Sequence, residues 1–259
     1  MRRIFLLLIV AVMVAPEVGA QFVAPGGTLP VVASLPGLNS TDWRTDVSVV
    51  NLGTAETSMV MLLLPEIRNG DQAFEPMIAD PIIIAAGEQH TMRDVLRTVF
   101  DLSDTKGALQ IFVADGAPLV ISARIYTYGD DSGSYGQNVE GFQVANKAWA
   151  AGVTHDDFYR TNVGIFLPIE PVPGHSARFT VRVFNQDGDE VGEGSVVFFD
   201  AGVQQRSLST FGVGTLLDGY VEISCQDPST TWYAYASRVD QDSGDAVFHP
   251  ARGRLSDLP

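Results

Sequence analysis

A pentapeptide occurs twice in this chain, and the spacing between its copies limits the folds open to it. Trp43-Arg44-Thr45-Asp46-Val47 returns as Tyr159-Arg160-Thr161-Asn162-Val163, 116 positions further on. Further matches follow in unbroken order. Ala86-Gly87 answers Ala201-Gly202, and Gly107 before Ala108-Leu109-Gln110-Ile111 answers Gly219 before Tyr220-Val221-Glu222-Ile223. Ser122-Ala123-Arg124 answers Ala236-Ser237-Arg238, and Asp131-Ser132-Gly133 answers Asp242-Ser243-Gly244. The offset drifts from 116 to 111, as small changes in loop length produce. A period of roughly 114 residues is too long for a solenoid repeat and suits a whole domain. Two tandem domains are expected, over residues 29–143 and 148–250, with residues 251–259 as a tail. The link Gln143-Val144-Ala145-Asn146-Lys147-Ala148 has no Pro/Gly/Ser-rich character, so the domains are expected to be closely tethered.

Within each unit the periodicity is that of strands. Val31–Ser34, Thr45–Asn51, Ser58–Leu64, Pro81–Ala85, Ala108–Val113 and Leu119–Tyr128 are rich in β-branched, aliphatic and aromatic residues and bounded by turn formers. Ala177–Asn185, Glu193–Phe199, Gly219–Cys225 and Thr231–Val239 read the same way in the second unit. Asn185-Gln186-Asp187-Gly188-Asp189 signals a hairpin, because Gly and Asx residues tolerate the positive φ of tight turns. Six or seven short strands in each unit predict a β-sandwich. One segment dissents: Met92, Val95, Leu96 and Val99 have helical spacing behind a Thr91/Asp94 capping signal, predicting a short helix between sheets over residues 91–100. Ser207–Phe211 holds the equivalent place as a helical turn.

The first-unit pattern is Trp43-Arg44-Thr45-Asp46-Val47-Ser48-Val49-Val50-Asn51, an Ala-Gly turn, the amphipathic turn ending near Phe100 and a Gly-started strand. Ile121-Ser122-Ala123-Arg124-Ile125-Tyr126 and Gly133-Ser134-Tyr135-Gly136-Gln137 complete it. It resembles a repeat of exported bacterial proteins of unassigned function, which carries an aromatic-Arg-Thr-Asp/Asn strand and closes on a Ser-Arg-x-Tyr strand and a Gly-x-Tyr/Phe-Gly-Gln hairpin. The second unit departs from it: Leu167-Pro168 replaces the Asn, and Ala246-Val247-Phe248 stands where the closing hairpin would be. The resemblance implies an all-β fold of two tandem immunoglobulin-like β-sandwich domains, and export; it implies no chemistry.

Export is also expected from the first twenty residues. Met1-Arg2-Arg3, an apolar run from Ile4 to Val14 and small residues up to Ala20 have the layout of a cleaved secretory signal. That run is well short of the roughly 20 residues that span a bilayer, so no membrane insertion is expected after cleavage. The recognisable end Arg252-Gly253-Arg254-Leu255-Ser256-Asp257-Leu258-Pro259 is no sorting motif, which favours free release, secreted or periplasmic. Net charge is −15, and losing two arginines and one glutamate with the signal leaves the mature chain one unit more negative. Such a chain repels phosphates, so nucleic acid is not an expected partner. Cys225 is the single cysteine, so no intramolecular disulfide forms and the fold relies on its core.

The paired Arg-Thr-Asx strands are the most specific feature. Arg44 and Asp46 share one strand face, as do Arg160 and Asn162, while Thr45 and Val47 point to the other. In one reading the arginines brace the sandwich rim with backbone or carboxylate partners, with Arg124 or Arg238 nearby, for which a five-donor guanidinium is suited. In the other they bind a carboxylate or sugar. Of the acidic turns 130–133, 187–190 and 240–245, the last two could offer oxygen ligands to calcium, but neither has full EF-hand spacing, and all three also read as solvated hairpins. His90, His155, His175 and His249 have no zinc spacing, and no nucleophile elbow or phosphate-binding loop is present. No enzyme activity, cofactor or metal is therefore expected. Trp43, Trp149 and Trp232 are expected in cores or between domains rather than as a sugar platform. The expected function is a non-catalytic structural, adhesion or protein-binding module with an unidentified protein or glycan partner. The alternative is a small polar ligand or carbohydrate held between the domains.

Overall fold

The computed structural model describes residues 24–37, 41–67, 75–129, 133–144, 146–172, 174–227 and 229–253. The expected signal, residues 1–20, lies outside them, as does the acidic turn from Asp130 to Ser132. The first half contains β1 (Gly26–Pro36), β2 (Asp42–Asn51), β3 (Thr57–Pro65), β4 (Met77–Ile78), β5 (Ile82–Ile84), β6 (Gln89–Met92), helix α1 (Val95–Phe100), β7 (Thr105–Val113), β8 (Leu119–Gly129) and β9 (Gly133–Val139). The second contains β10 (Lys147–His155), β11 (Tyr159–Leu167), β12 (Ala177–Asn185), β13 (Glu190–Phe198), β14 (Gly202–Ser207), a 3-10 turn at Leu208–Phe211, β15 (Leu216–Cys225), β16 (Tyr233–Asp240) and β17 (Ala246–Pro250). The fold is all-β and antiparallel.

In the first half the strands run β4-β3-β7-β1-β2-β8-β9, with β5 also on β3 and β6 on β2. The β1–β2 pairing, Leu35 opposite Trp43, is the corner at which this sheet turns back on itself. The resulting layers enclose a core that includes Val32, Val47, Met59, Leu96, Leu109 and Ile111. In the second half β10-β15-β12-β13 faces β14-β11-β16-β17 around Phe179, Phe198, Val181 and Trp232. The order β1-β7-β3-β5 thus recurs as β10-β15-β12-β13, and β6-β2-β8-β9 recurs as β14-β11-β16-β17. Register agrees when Thr45 is matched with Thr161 and Gly107 with Gly219: Pro65 lies opposite Gly107 and Asn185 opposite Gly219. A Cβ on either glycine would strike the neighbouring strand's carbonyl, of Leu64 or of Phe184, which explains glycine at both places.

The inward residue of the Arg-Thr-Asx strand braces each half. Thr45 and Thr161 are fully buried. The Ala33 N–H donates to Thr45 Oγ1 at 2.7 Å, and the Thr45 hydroxyl donates back to the Ala33 carbonyl at 2.9 Å. Thr161 donates to the Thr154 carbonyl at 2.6 Å, on the equivalent strand. Both contacts lie beside register shifts, in β1 between Leu29 and Val32 and in β10 after Ala151 and Val153, where ladder bonds are interrupted. A buried backbone group without a partner costs about 1–3 kcal/mol, and the hydroxyl removes that cost. Asn51 does related work: buried, it donates to the Ala55 and Ile84 carbonyls and accepts the Gly53 N–H. Leu167, in its place, is buried in the second core.

The helix is shorter than its periodicity predicts, because Thr91 and Met92 pair with β2 and only Val95–Phe100 is helical. It still joins one layer to the other and buries Val95, Leu96 and Phe100. The hairpin over 185–189 forms as expected, with Gly188 at φ 85°. The short strands β4, β6 and β14 escape recognition because two to six residues carry too little period.

The halves meet through the outer face of β14-β11-β16. Phe166, Val203 and Tyr233 bury against Leu64 and Ala108 of the first half. Ile67 donates its N–H to the Val203 carbonyl at 2.8 Å. Lys106 pairs with Glu66 at 2.8 Å and donates to Gln205 Oε1 at 2.8 Å, while the Tyr235 hydroxyl donates to the same oxygen at 3.2 Å. Burial first, and then the Glu66 charge, push the Tyr235 hydroxyl pKa up. The Tyr235 ring has room only because position 164 is glycine: a Cβ there would strike its Cζ.

Two expected outcomes follow from this packing. Replacing Thr45 by Val strands the Ala33 N–H and carbonyl and lowers unfolding free energy by about 1–3 kcal/mol, whereas Thr45→Ser retains most of it; urea unfolding measures both. Gly164→Ala displaces Tyr235 and lowers the unfolding midpoint by an amount equivalent to about 1–3 kcal/mol, while Ser48→Ala at the matching first-half position costs little.

Candidate functional site

Alternation along β2 and β8 brings three of the six expected site residues onto one face. Asp46 lies opposite Arg124, and Arg44 opposite Tyr126. Arg44 donates through Nε and Nη2 to Asp42 Oδ2, at 3.2 and 2.7 Å, and its guanidinium stands 5.8 Å from the Tyr128 ring centre. Arg124 lies 5.3 Å over the Tyr126 ring and donates to the carbonyl and hydroxyl of Ser134, with no carboxylate partner among the described residues. Tyr126 and Tyr128 meet edge to face at 5.5 Å. Gly136 is required beside them, since a Cβ there would strike the Ile125 carbonyl and Tyr126. The closing Tyr-Gly-Gln of the sequence pattern thus makes room for the aromatic of the preceding strand.

Asp46 anchors the helix. One carboxylate oxygen pairs with Arg93 at 2.8 Å; the other accepts the Asp94 N–H at 2.9 Å and the Tyr126 hydroxyl at 3.3 Å. These bonds hold Asp94 at φ 46° as α1 begins. Asp94 is itself buried, with Oδ1 lacking a partner and Oδ2 3.7 Å from Arg97. Burial, the Tyr128 hydrogen bond and the Asp46 charge push the Tyr126 hydroxyl up to about 12.

The other three expected site residues do not form a second copy of this face. Arg160 and Asn162 occupy the matching face of β11, which is the one turned toward the first half. Arg160 is half-buried, its Nε has no partner, and desolvation lowers its pKa. It lines a recess of about 10 Å³ with Trp43, Thr41, Val239, Asp240, Gln241 and Gly244, room for about one water molecule. Asn162 lies opposite Ser207 and Ser237. Arg238 lies opposite Thr161 and therefore points the other way, its guanidinium 5.4 Å over the Tyr159 ring. The counterpart of Arg124 is Ser237, one residue from the arginine that the sequence alignment pairs with it. Arg44 has a carboxylate partner in Asp42, two residues earlier on the same strand. For Arg160 no such partner exists among the described residues.

Elsewhere, the Asp240 carboxylate accepts N–H groups from Asp242 and Ser243, which lowers its pKa and closes its own turn. Among the described residues no three His, Cys, Asp or Glu side chains gather as metal ligands would. His155 accepts the Thr161 N–H through Nδ1, and burial lowers its pKa; burial and then Arg238 lower that of His249. Trp232 is a core residue, Trp43 lines the recess between the halves, and Trp149 lies on the outer face of β10 with its Nε1 donating to Glu222. A shallow depression of about 540 Å³ is bordered by Gly174, His175, Ser176 and the exposed Phe199. No helix among the described residues is long and apolar enough to cross a membrane.

No family model and no curated protein matches this chain. The structure of the infectious bursal disease virus Gt strain aligns at 13% identity over 92% of this chain and 74% of its own, with a TM-score of 0.23. The VP2 subviral particle of the same virus aligns at 13% identity over 92% and 78%, with a TM-score of 0.24. A glycosyl hydrolase family 2 member from Bacteroides cellulosilyticus aligns at 9% identity over 86% of this chain and 28% of its own, with a TM-score of 0.20. Likeness at this level carries no functional inference.

The Asp46–Tyr126 contact has a readable consequence. In Asp46→Asn the Tyr126 hydroxyl titrates closer to the ordinary tyrosine range of about 10, because a neighbouring negative charge is gone; ultraviolet difference titration measures it. In the unaltered chain, the raised hydroxyl contributes stability that is full below pH of about 10, the unfolded value, and is lost as pH rises through about 12.

Proposed function

We propose that this chain is an exported, non-catalytic protein of two tandem immunoglobulin-like β-sandwich domains, acting as a structural, adhesion or protein-binding module of the bacterial envelope or exterior. The two-domain reading is supported by the repeated strand order and by ladders that align from Thr45/Thr161 and Gly107/Gly219. The observation that carries the functional reading is the filled contact between the halves. Phe166, Val203 and Tyr233 against Leu64 and Ala108, with the Lys106–Gln205–Tyr235 bonds, hold the units in one orientation. A rigid pair presents its outer faces at fixed spacing, which suits a scaffold or adhesion element. Export rests on the basic, apolar and small-residue sequence of the first twenty positions.

A ligand between the domains remains the second reading, favoured by one observation: the unpartnered Arg160 Nε beside Trp43. A carbohydrate would have to open the seam, since the recess admits about one water.

One comparison separates these readings. The chain is expressed with its leader in a bacterial host, its exported form is sequenced from the N-terminus, and the product is tested on a glycan array and by cross-linking on intact envelopes. The module reading expects a mature start at Gln21, saturable cross-linking to a discrete envelope protein and no glycan signal. Saturable glycan binding that is lost in Arg160→Ala would replace it with the ligand reading.

A further inference from the structure

The surface that joins the two halves has an unused counterpart at each end of the molecule. Across the seam, large residues on β11 and β16, Phe166 opposite Tyr233, cover small ones on β3 and β7, Leu64 opposite Ala108. Register gives the matching positions. Phe166 and Tyr233 correspond to Val50 and Val120 in the first half, a half-buried pair directly opposite on β2 and β8 that joins none of the buried apolar clusters among the described residues. Leu64 and Ala108 correspond to Phe184 and Tyr220 in the second half, directly opposite on β12 and β15 and stacked at 4.9 Å with 11° between planes. Both rings remain half-buried. The sizes are therefore exchanged: the free outer face of the first half is small where the used face is large, and the free end of the second half is large where the used end is small.

Charge is exchanged as well. Lys106 at the used end corresponds to Asp218 at the free end, which is exposed and makes no ion pair among the described residues. Gln205, which receives Lys106, corresponds to Thr91, two positions before the exposed Arg93, which pairs with Asp46, and the same face carries Arg124, which has no carboxylate partner among the described residues.

We propose that this chain associates head to tail with a second copy, the Phe184–Tyr220 end of one molecule seating on the Val50–Val120 face of the next. The contact is heterologous and uses two different surfaces, so it extends to an open series rather than closing as a symmetric dimer. The aromatic pair supplies the buried anchors and Asp218 approaches the arginines on the receiving face. The proposal rests on the two-domain reading and names a second copy of the chain as the partner.

Sedimentation velocity of the mature chain, residues 21–259, over a wide concentration range tests it. The expected result is a concentration-dependent series of species that shifts toward monomer at high salt. Asp218→Lys at the donor end and Val120→Lys on the receiving face each weaken association by about tenfold or more. Mixed together, the two variants form a complex that stops at the dimer, because one intact end meets one intact face. Circular dichroism and thermal unfolding establish that each variant is folded, and Arg124→Glu provides a second receiving-face variant. A single species at every concentration would overturn the proposal, as would association that neither variant weakens. Either outcome leaves the module reading to its own test, since envelope cross-linking does not depend on self-association.

Discussion

Each half of this molecule depends on a threonine hydroxyl buried beneath an irregular strand. Close to a register shift in the first strand of each half, buried backbone groups bond a threonine hydroxyl of the following strand. Thr45 meets both groups of Ala33, and Thr161 meets the Thr154 carbonyl. Valine would match the shape and leave the polarity unmet, and serine would lose the methyl that packs in the core. The arginine and the Asp or Asn flanking each threonine face outward, and what they do depends on what covers that outer face.

That covering is where the halves part company. In the first half the outer face is solvated and laced by its own side chains: Arg44 on Asp42, Asp46 on Arg93 and the start of α1, Arg124 on Ser134 and over Tyr126. In the second half the same positions face the neighbouring half, and the residues change accordingly. Ser48 gives way to Gly164 so that Tyr235 can enter, Val50 to Phe166, and Tyr126 to Val239. The closing Tyr-Gly-Gln hairpin, needed where Tyr126 lies over Gly136, has no role on a face without that tyrosine.

Much of this architecture was legible in the sequence, because the alternation of Thr45, Val47 and Val49 against Arg44, Asp46 and Ser48 assigns faces without coordinates. The hairpin at Gly188 and the ordered repeat marks were equally plain. Register across strands was not. One residue separates Arg238 from the position that corresponds to Arg124, and with side chains alternating, that single step puts the two arginines on opposite faces. Nor could sequence show that one copy of the Arg-Thr-Asx face would be solvated and the other turned toward the neighbouring half, since that depends on how the two halves pack. The aromatic partners were within reach: Arg124, Tyr126 and Tyr128 lie two apart and must share a face.

The seam is interior: its apolar contacts and its Lys106–Gln205–Tyr235 bonds couple the two halves. Differential scanning calorimetry of the mature chain addresses this directly. A coupled pair unfolds in a single transition whose calorimetric and van't Hoff enthalpies agree. Two separable transitions, each with the enthalpy of one half, would contradict it.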